Sequence, residues 1–112
     1  MTMNKTTETE VIQLHAEICA GLADPNRILI LYELFQSDRN VTELATNLKI
    51  SQPLVSRHLK NLRERGMVTF KRRGTAVEYH LADKRLIQAL DLLRAVMRDG
   101  LARRAELVEA IV

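Results

Sequence analysis

The 112-residue sequence has one cysteine, no tryptophan and few aromatic residues, which make up 4% of the chain. A lone cysteine excludes an intrachain disulfide. The scarcity of aromatic side chains predicts an aliphatic core built mainly from helices. No apolar run approaches the roughly 20 residues that a helix needs to cross a bilayer, which predicts no membrane partner.

The sequence also lacks the signals of secretion and of catalysis. Its polar start, MTMNKTTETE, is not followed by an apolar segment, so we expect a cytoplasmic protein. We find no Gly-rich phosphate loop, no HExxH metal-binding helix and no nucleophile motif, and we therefore predict neither enzymatic activity nor a cofactor. The length fits one domain.

The most informative stretch is residues 41–81, whose patterns predict a helix, a tight turn, a second helix and a β-hairpin. Thr42 is the expected N-cap of the first helix. Ser51 is expected to cap the second helix, and Pro53 lies in its first turn, where a missing N–H costs little. Apolar residues at helical spacing predict the buried face of the second helix: Val55, Leu59 and Leu62.

The opposite face of the second helix carries side chains that can hydrogen-bond to base edges or phosphates: Gln52, Ser56, Arg57, Lys60 and Arg63. The segments 68–71 and 77–81 alternate apolar and polar residues, as the strands of a half-buried hairpin at 67–81 do. Its tip holds three basic residues: Lys71, Arg72 and Arg73. A cationic tip beside such a helix is placed to contact phosphates or the minor groove. The alternative is a solvated basic turn.

The distribution of charge supports a nucleic-acid partner. Residues 51–80 contain seven basic and two acidic residues, a net charge of +5. The other 82 residues contain ten basic and twelve acidic residues, a net charge of −2. Positive charge is thus concentrated on the proposed DNA-contacting stretch.

Three segments carry a resemblance to the ArsR/SmtB family of dimeric bacterial repressors. They read LADPNRILILYEL, VTELATNLKIS and QPLVSRHLKNLRERGMVTFKRRGTAVEYHL, and the resemblance covers roughly residues 14–99. It implies a winged helix-turn-helix, mainly α with a small β-hairpin wing, that dimerises through its first and last helices. The chain departs from the family at Lys49, where Gly is usual; we expect a strain of roughly 1 kcal/mol there.

These patterns divide the chain into a mobile N-terminal arm and a single domain. The expected bounds are 1–7 for the arm and 8–112 for the domain, with the helix-turn-helix at 41–65, the wing at 67–81 and the C-terminal dimerisation helix or helices at 83–112. The first helix is expected to start at Glu8 or Thr9 and to end at Gly21 or Leu22. Three alternatives stay open at Gly100: it kinks the last helix, ends its first part, or is tolerated inside it at about 1 kcal/mol. An apolar line on that helix exceeds what one small core can cover and predicts a homodimer: Leu86, Leu90, Leu93 and Met97.

The resemblance also raises the question of a metal sensor, since many family members bind metals. One family site uses cysteines at the helix that opens the helix-turn-helix, where this chain has residues 40–43 and no Cys. The other uses Asp, His, His and Glu or His on the last helix, where this chain has Asp83, Arg85, Val96 and Asp99. Arg stays protonated and cannot be a ligand. We therefore predict no metal at either site.

His15 and Cys19 are spaced i, i+4 on the first helix and could bind a metal or respond to oxidation. The alternative is that Cys19 is a small buried apolar residue and that His15 lies at a surface or an interface. His58 is expected to pack near the DNA backbone. The sequence suggests no partner ligands for His80.

The combined prediction is a sequence-specific repressor that binds double-stranded DNA as a homodimer and leaves an inverted-repeat operator on a chemical signal. The inducer is unspecified. Gln52, Ser56 and Arg57 are expected at base edges, and the remaining basic residues of the helix and the wing are expected at phosphates. Two alternatives stay open: a winged-helix protein-interaction module without DNA binding, and a DNA-binding repressor that senses no ligand.

Overall fold

The computed structural model describes residues 3–111, which form helices and one antiparallel β-hairpin. The elements are α1 (Lys5–Leu14), a π-helical segment (His15–Cys19), α2 (Pro25–Gln36), α3 (Val41–Leu48), α4 (Gln52–Glu64), β1 (Val68–Arg73), β2 (Ala76–Leu81) and α5 (Arg85–Ile111). This order confirms the predicted mainly helical architecture with a hairpin wing after two short helices. No helix within the described residues has the length and apolarity to cross a membrane.

Side-chain caps set the starts of α3 and α4. Asn40 accepts a hydrogen bond from the backbone N–H of Glu43 at 2.8 Å, and the Glu43 carboxylate accepts one from the Asn40 N–H at 3.0 Å, which makes a capping box. The prediction that Thr42 caps α3 was wrong, because Asn40 already provides the cap. Ser51 caps α4 as predicted, accepting from the Leu54 N–H at 3.3 Å.

Helices α2, α3 and α4 enclose the aliphatic core. Val55, Leu59 and Leu62 of α4 are each 0% exposed, which confirms the predicted buried face. Burying side chains of this size contributes roughly 1.5–3 kcal/mol each. They pack in one cluster with residues from the other elements: Ile30, Leu31, Leu34, Leu44, Ala45, Met67, Val68, Ile87 and Leu90. Because Val55, Leu59 and Leu62 are buried, the opposite, polar face of α4 is exposed to solvent.

The hairpin is attached to the helices by a short extension of its sheet. Strands β1 and β2 pair from Val68 with Leu81 to Arg73 with Ala76. Arg39, in the loop between α2 and α3, pairs with Tyr79 of β2. The Arg39 N–H donates to the Tyr79 oxygen at 3.2 Å, and the Tyr79 N–H donates to the Arg39 oxygen at 2.8 Å. The α2–α3 loop therefore holds the edge of β2 that does not pair with β1.

Both terminal helices differ from the predicted bounds. Helix α1 begins at Lys5, so residues 5–7 are helical and are not part of an arm. The prediction missed this start because the apolar pattern begins several residues after the helix does. The N-cap is Asn4, whose side-chain oxygen accepts a hydrogen bond from the Thr7 N–H at 2.8 Å. Residues 1 and 2 of the predicted arm lie outside the described residues. Helical structure continues to Gly21, within the predicted end.

Helix α5 runs without interruption through Gly100 to Ile111, so of the alternatives left open at Gly100 the end of the helix is excluded; residue 112 is outside the described part. Glycine is tolerated inside a helix at about 1 kcal/mol, and the helix-forming residues on both sides offset that cost. The apolar residues of α5 that were predicted to form the dimer interface are divided between the core and the surface. Leu90 is 5% exposed and belongs to the core of the protomer, whereas Leu93 and Met97 are 61% and 58% exposed.

Lys49 occupies the left-handed conformation predicted for the turn, with φ 58° and ψ 43°. We expect Lys49→Gly to raise the free energy of unfolding by up to about 1 kcal/mol, because relief of the Cβ strain exceeds the entropy that Gly adds to the unfolded chain. Urea unfolding followed by circular dichroism measures the change. Thr46→Gly, at an exposed position inside α3, is the control and should lose roughly 0.3 kcal/mol, the difference between the helix propensities of Thr and Gly. Equal destabilisation by both variants would contradict the prediction that the backbone is strained at Lys49.

Candidate nucleic-acid interface

The eight residues predicted to contact DNA are all exposed and lie on two neighbouring elements, α4 and the wing. On α4, the intervals of four, four and three residues place one stripe along the helix: Gln52, Ser56, Lys60 and Arg63. Arg57 flanks this stripe. Gln52 donates from Nε2 to the Thr42 hydroxyl at 3.5 Å, which orients its amide at the N-terminus of α4. The stripe combines amide, hydroxyl and cationic donors.

Aromatic contacts join α4 to the wing. The Arg63 guanidinium lies over the ring of Phe70 in β1, 5.1 Å from its centroid, a cation–π geometry. The Phe70 ring in turn lies 6.0 Å from the ring of Tyr79 in β2, centroid to centroid. These contacts hold the wing at the C-terminal half of α4. Arg63 is therefore shared between the wing and the exposed stripe.

The wing tip projects its basic side chains into solvent. Gly74 supplies the positive φ of 62° that the tight turn needs. Arg73 has a 71% exposed side chain, and its Nε lies 3.7 Å from a carboxylate oxygen of Glu78. Such an exposed pair contributes little to stability, so Arg73 can exchange Glu78 for another anion at low cost.

Two arginines that the sequence patterns did not single out connect α4 to the end of the first helix. Arg27 of α2 donates from Nε to the Gly21 oxygen at 2.7 Å and from Nη2 to the Ala20 oxygen at 3.3 Å. Its Nη1 lies 3.3 Å from Nδ1 of His58 in α4. Arg27 thus satisfies carbonyl oxygens that a helix C-terminus leaves without partners and touches α4 at the same time.

Arg65, at the end of α4, makes the second connection. Its Nη1 donates to the carbonyl oxygens of Ala16 and Glu17, inside the π-helical segment, at 2.7 and 3.1 Å. Gly21 leaves room for this side chain, since a Cβ at that position would meet Arg65 Cδ at 2.9 Å. Glycine at 21 and arginine at 27 and 65 belong together only in three dimensions, and no local sequence signal reveals them.

His58 lies in the protein interior, so the expectation that it packs near the DNA backbone was wrong. The residue is 6% exposed. Its Nδ1 accepts from Arg27, and its Nε2 lies 4.0 Å from an Asp24 carboxylate oxygen. Burial lowers the pKa of His58, and this is the largest effect. The nearby Asp24 carboxylate raises the pKa by less, and the Arg27 guanidinium lowers it further.

The residues considered for sensing lie outside this interface. His15 and Cys19 are both exposed in the protomer, so the alternative of a buried Cys19 requires a second copy to cover it. At the position of the family's last-helix metal site, Arg85 donates to the Asp83 carboxylate from Nη2 at 2.7 Å. That hydrogen bond lowers the pKa of Asp83 to about 2.

His80 has a close partner, contrary to the expectation that it had none. Its Nδ1 lies 2.7 Å from an Asp38 carboxylate oxygen, and Glu78 is close to both. Asp38 is 42 positions away in the chain, which hid the cluster from sequence patterns.

Comparisons with known proteins agree with this geometry. A family model described as "Bacterial regulatory protein, arsR family" matches residues 24–69. The "HTH-type transcriptional repressor SmtB" of Mycobacterium tuberculosis is 46% identical over 69% of this chain and 57% of its own length, so this chain spans just over half of that relative. A "Probable mercury resistance operon repressor" of Streptomyces lividans is 33% identical over 78% of this chain and 70% of its own length.

Among solved structures, a Mycobacterium bovis domain described as a homodimeric winged helix-turn-helix DNA-binding domain superimposes with a TM-score of 0.74. It is 26% identical and covers 88% of this chain and 91% of its own. The winged helix-turn-helix fold is thereby established for the present chain.

We expect stability to fall as the pH drops below about 6.5, because unfolded His58 then binds a proton that the folded protein excludes. The folded pKa is depressed, so the loss continues until the pH reaches that lower value. Urea unfolding between about pH 7.5 and about pH 5 measures it. His58→Gln should flatten this dependence whatever its own stability, whereas His15→Gln, at an exposed site, should keep the parent's dependence. An unchanged slope in His58→Gln would contradict the assignment.

Proposed function

Because the chain belongs to the arsR family of bacterial regulatory proteins, we propose that it is a sequence-specific DNA-binding repressor that acts as a homodimer. One observation carries the proposal: α4 buries its apolar stripe completely and exposes a polar, basic stripe beside a cationic wing. A helix of this kind fits the major groove of B-DNA. Repression requires access to the chromosome, so the proposal includes a cytoplasmic location.

The N-terminal half of α4 would read base edges. Gln52, Ser56 and Arg57 are exposed in its first two turns, the part of a recognition helix that reaches the bases. Arg can pair with guanine and Gln with adenine through two hydrogen bonds each. This assignment gives the three residues the sequence specificity of the complex.

The C-terminal half of α4 and the wing would hold phosphates. Lys60 and Arg63 lie further along the same stripe, and the wing tip contributes its own cations: Lys71, Arg72 and Arg73. Phosphate contacts position the protein without reading sequence and make affinity depend on salt. The wing, held to α4 through Phe70, would reach the flanking backbone or the minor groove.

A second copy would cover the apolar side chains that α1 and α5 leave exposed. They are between 50% and 69% exposed: Val11, Ile12, Leu14, Leu92, Leu93, Val96, Met97 and Leu101. Two-fold symmetry would then present two α4 helices to half-sites about one helical turn apart in an inverted repeat. The homodimeric state of the M. bovis neighbour supports this arrangement.

The competing function is a protein-interaction module that uses the apolar helices and binds no DNA. Such a module has no need for a basic tip on the wing or for a net charge of +5 over residues 51–80. A repressor without an inducer differs from the proposal only in regulation. Binding to labelled operator at two salt concentrations separates the interaction module from both repressors.

We expect Arg57→Ala to weaken operator binding by about 1–3 kcal/mol and to relax base preference at one position, since it would remove a base contact. Fluorescence anisotropy with operator variants measures both effects. Arg98→Ala, an exposed arginine on α5, is the control and should bind like the parent. An equal loss on operator and random DNA would reassign Arg57 to the phosphates.

We expect Arg72→Ala combined with Arg73→Ala to weaken all DNA sequences alike and to reduce the slope of log affinity against log salt by up to about two units. The reason is loss of two phosphate contacts at the wing tip. Arg103→Ala with Arg104→Ala, an exposed pair on α5, removes the same charge elsewhere. If both double variants changed the slope equally, the wing would have no specific place on DNA.

We expect Leu93→Glu to dissociate the dimer, because the dimer interface would bury an unpaired carboxylate. Leu93 is the informative position, since Leu90 belongs to the core of the protomer and its replacement would unfold the chain. Sedimentation equilibrium at micromolar concentration measures the mass. Phe35→Glu, at an exposed apolar residue of α2, should remain dimeric. A monomeric parent, or a dimeric Leu93→Glu protein, would refute the proposed interface.

A further inference from the structure

The junction between the α2–α3 loop and strand β2 gathers three potential metal ligands on a fixed backbone. Arg39 and Tyr79 exchange two backbone hydrogen bonds, which places Asp38 beside His80. Side chains alternate along a strand, so Glu78 and His80 point to the same face of β2, away from Tyr79. The backbone pairing therefore brings two carboxylates and one imidazole together before any ion binds.

The donor atoms are close and differ in exposure. His80 Nδ1 lies 2.7 Å from Asp38 Oδ2, and one donor atom from each of Asp38, Glu78 and His80 lies within 4.8 Å of the others. The side chains of His80, Glu78 and Asp38 are 17%, 29% and 45% exposed. The cluster is thus shielded at the ring and open to solvent at the Asp38 carboxylate, as an accessible ion site requires.

We propose that Asp38, Glu78 and His80 form a binding site for a divalent transition-metal ion. One imidazole nitrogen and two carboxylate oxygens suit Zn²⁺ and its first-row neighbours, with water in the remaining positions. Bonds of about 2.0–2.2 Å hold neighbouring donors about 3–3.5 Å apart, so the carboxylates need to close by no more than about 2 Å. Glu78 and Asp38 are exposed enough to do so by changing rotamer.

The imidazole can take part through one nitrogen only. His80 Nε2 is buried and makes no hydrogen bond to any described residue, so an ion reaches the ring through Nδ1. In the hydrogen bond to Asp38, Nδ1–H donates to the carboxylate. An ion bound at Nδ1 takes the place of that proton, and the neutral ring carries its single proton on Nε2 instead.

This site is separate from the family positions considered above. It uses no residue of α3 or α5, and it lies where the loop meets the wing. A competing cation is Arg73, whose Nε is 3.7 Å from a carboxylate oxygen of Glu78. Arg73 is largely exposed, so a divalent ion, with twice its charge and direct coordination, can displace it from the carboxylate.

The test is zinc binding to the full chain, measured without DNA, so that its result is independent of the proposed repressor function. Isothermal titration of ZnCl₂ is done in a Cys19→Ser background, which removes the single thiol as a competing ligand. We expect one ion per protomer. His80→Gln and Asp38→Asn should each weaken binding by at least about ten-fold, because each removes one donor atom.

His15→Gln is the matched control, because it removes an exposed imidazole from the first helix and should leave zinc binding intact. Circular dichroism verifies that each variant is folded. Should His80→Gln fail to fold, Asp38→Asn gives the same test at a largely exposed position. Absence of zinc binding in the parent, equal binding by parent and Asp38→Asn, or loss of binding in His15→Gln would each overturn the proposal.

Discussion

The burial of one apolar stripe on α4 is the constraint on which the rest of the structure depends. Val55, Leu59 and Leu62 are fully enclosed by α2, α3 and the start of the wing. Three side chains of this size contribute roughly 5–9 kcal/mol when buried, comparable to the whole stability of a small domain. Rotation of α4 about its axis would expose these side chains and remove their stabilising contribution. The direction of its polar face is therefore a consequence of core packing.

The wing is held at its base from two sides while its tip remains exposed. On one side, the cation–π contact of Arg63 with Phe70 ties β1 to α4. On the other side, Arg39 pairs with Tyr79, and the Asp38–His80 hydrogen bond lies next to that pairing. A fixed base places the cations of the tip at a defined distance from α4, which phosphate recognition requires. An ion at the loop–wing junction would reinforce the second of these attachments.

Arg27 and Arg65 connect the two parts of the molecule that the proposed function separates. The first helix, with its exposed apolar side chains, belongs to the proposed dimer interface, and α4 belongs to the proposed DNA interface. Both arginines donate to carbonyl oxygens between Ala16 and Gly21, and hydrogen bonds from charged groups contribute roughly 1.5–3 kcal/mol. A displacement of the π-helical segment, which contains Cys19, would break these bonds or carry α4 along with it.

Local patterns in the sequence determined the helix-turn-helix, the buried stripe of α4, the polar residues on its opposite face and the basic wing tip, because each depends on residues a few positions apart. The expectation of strain at Lys49 came from the family resemblance. Boundaries without an apolar signal, such as the start of α1 at Lys5, were missed. Tertiary structure alone decided the roles of His58 and Leu90, which lie in the protomer core, and the meeting of Asp38 with His80. Those outcomes depend on which distant segment covers a side chain, and the sequence does not encode that in any local period.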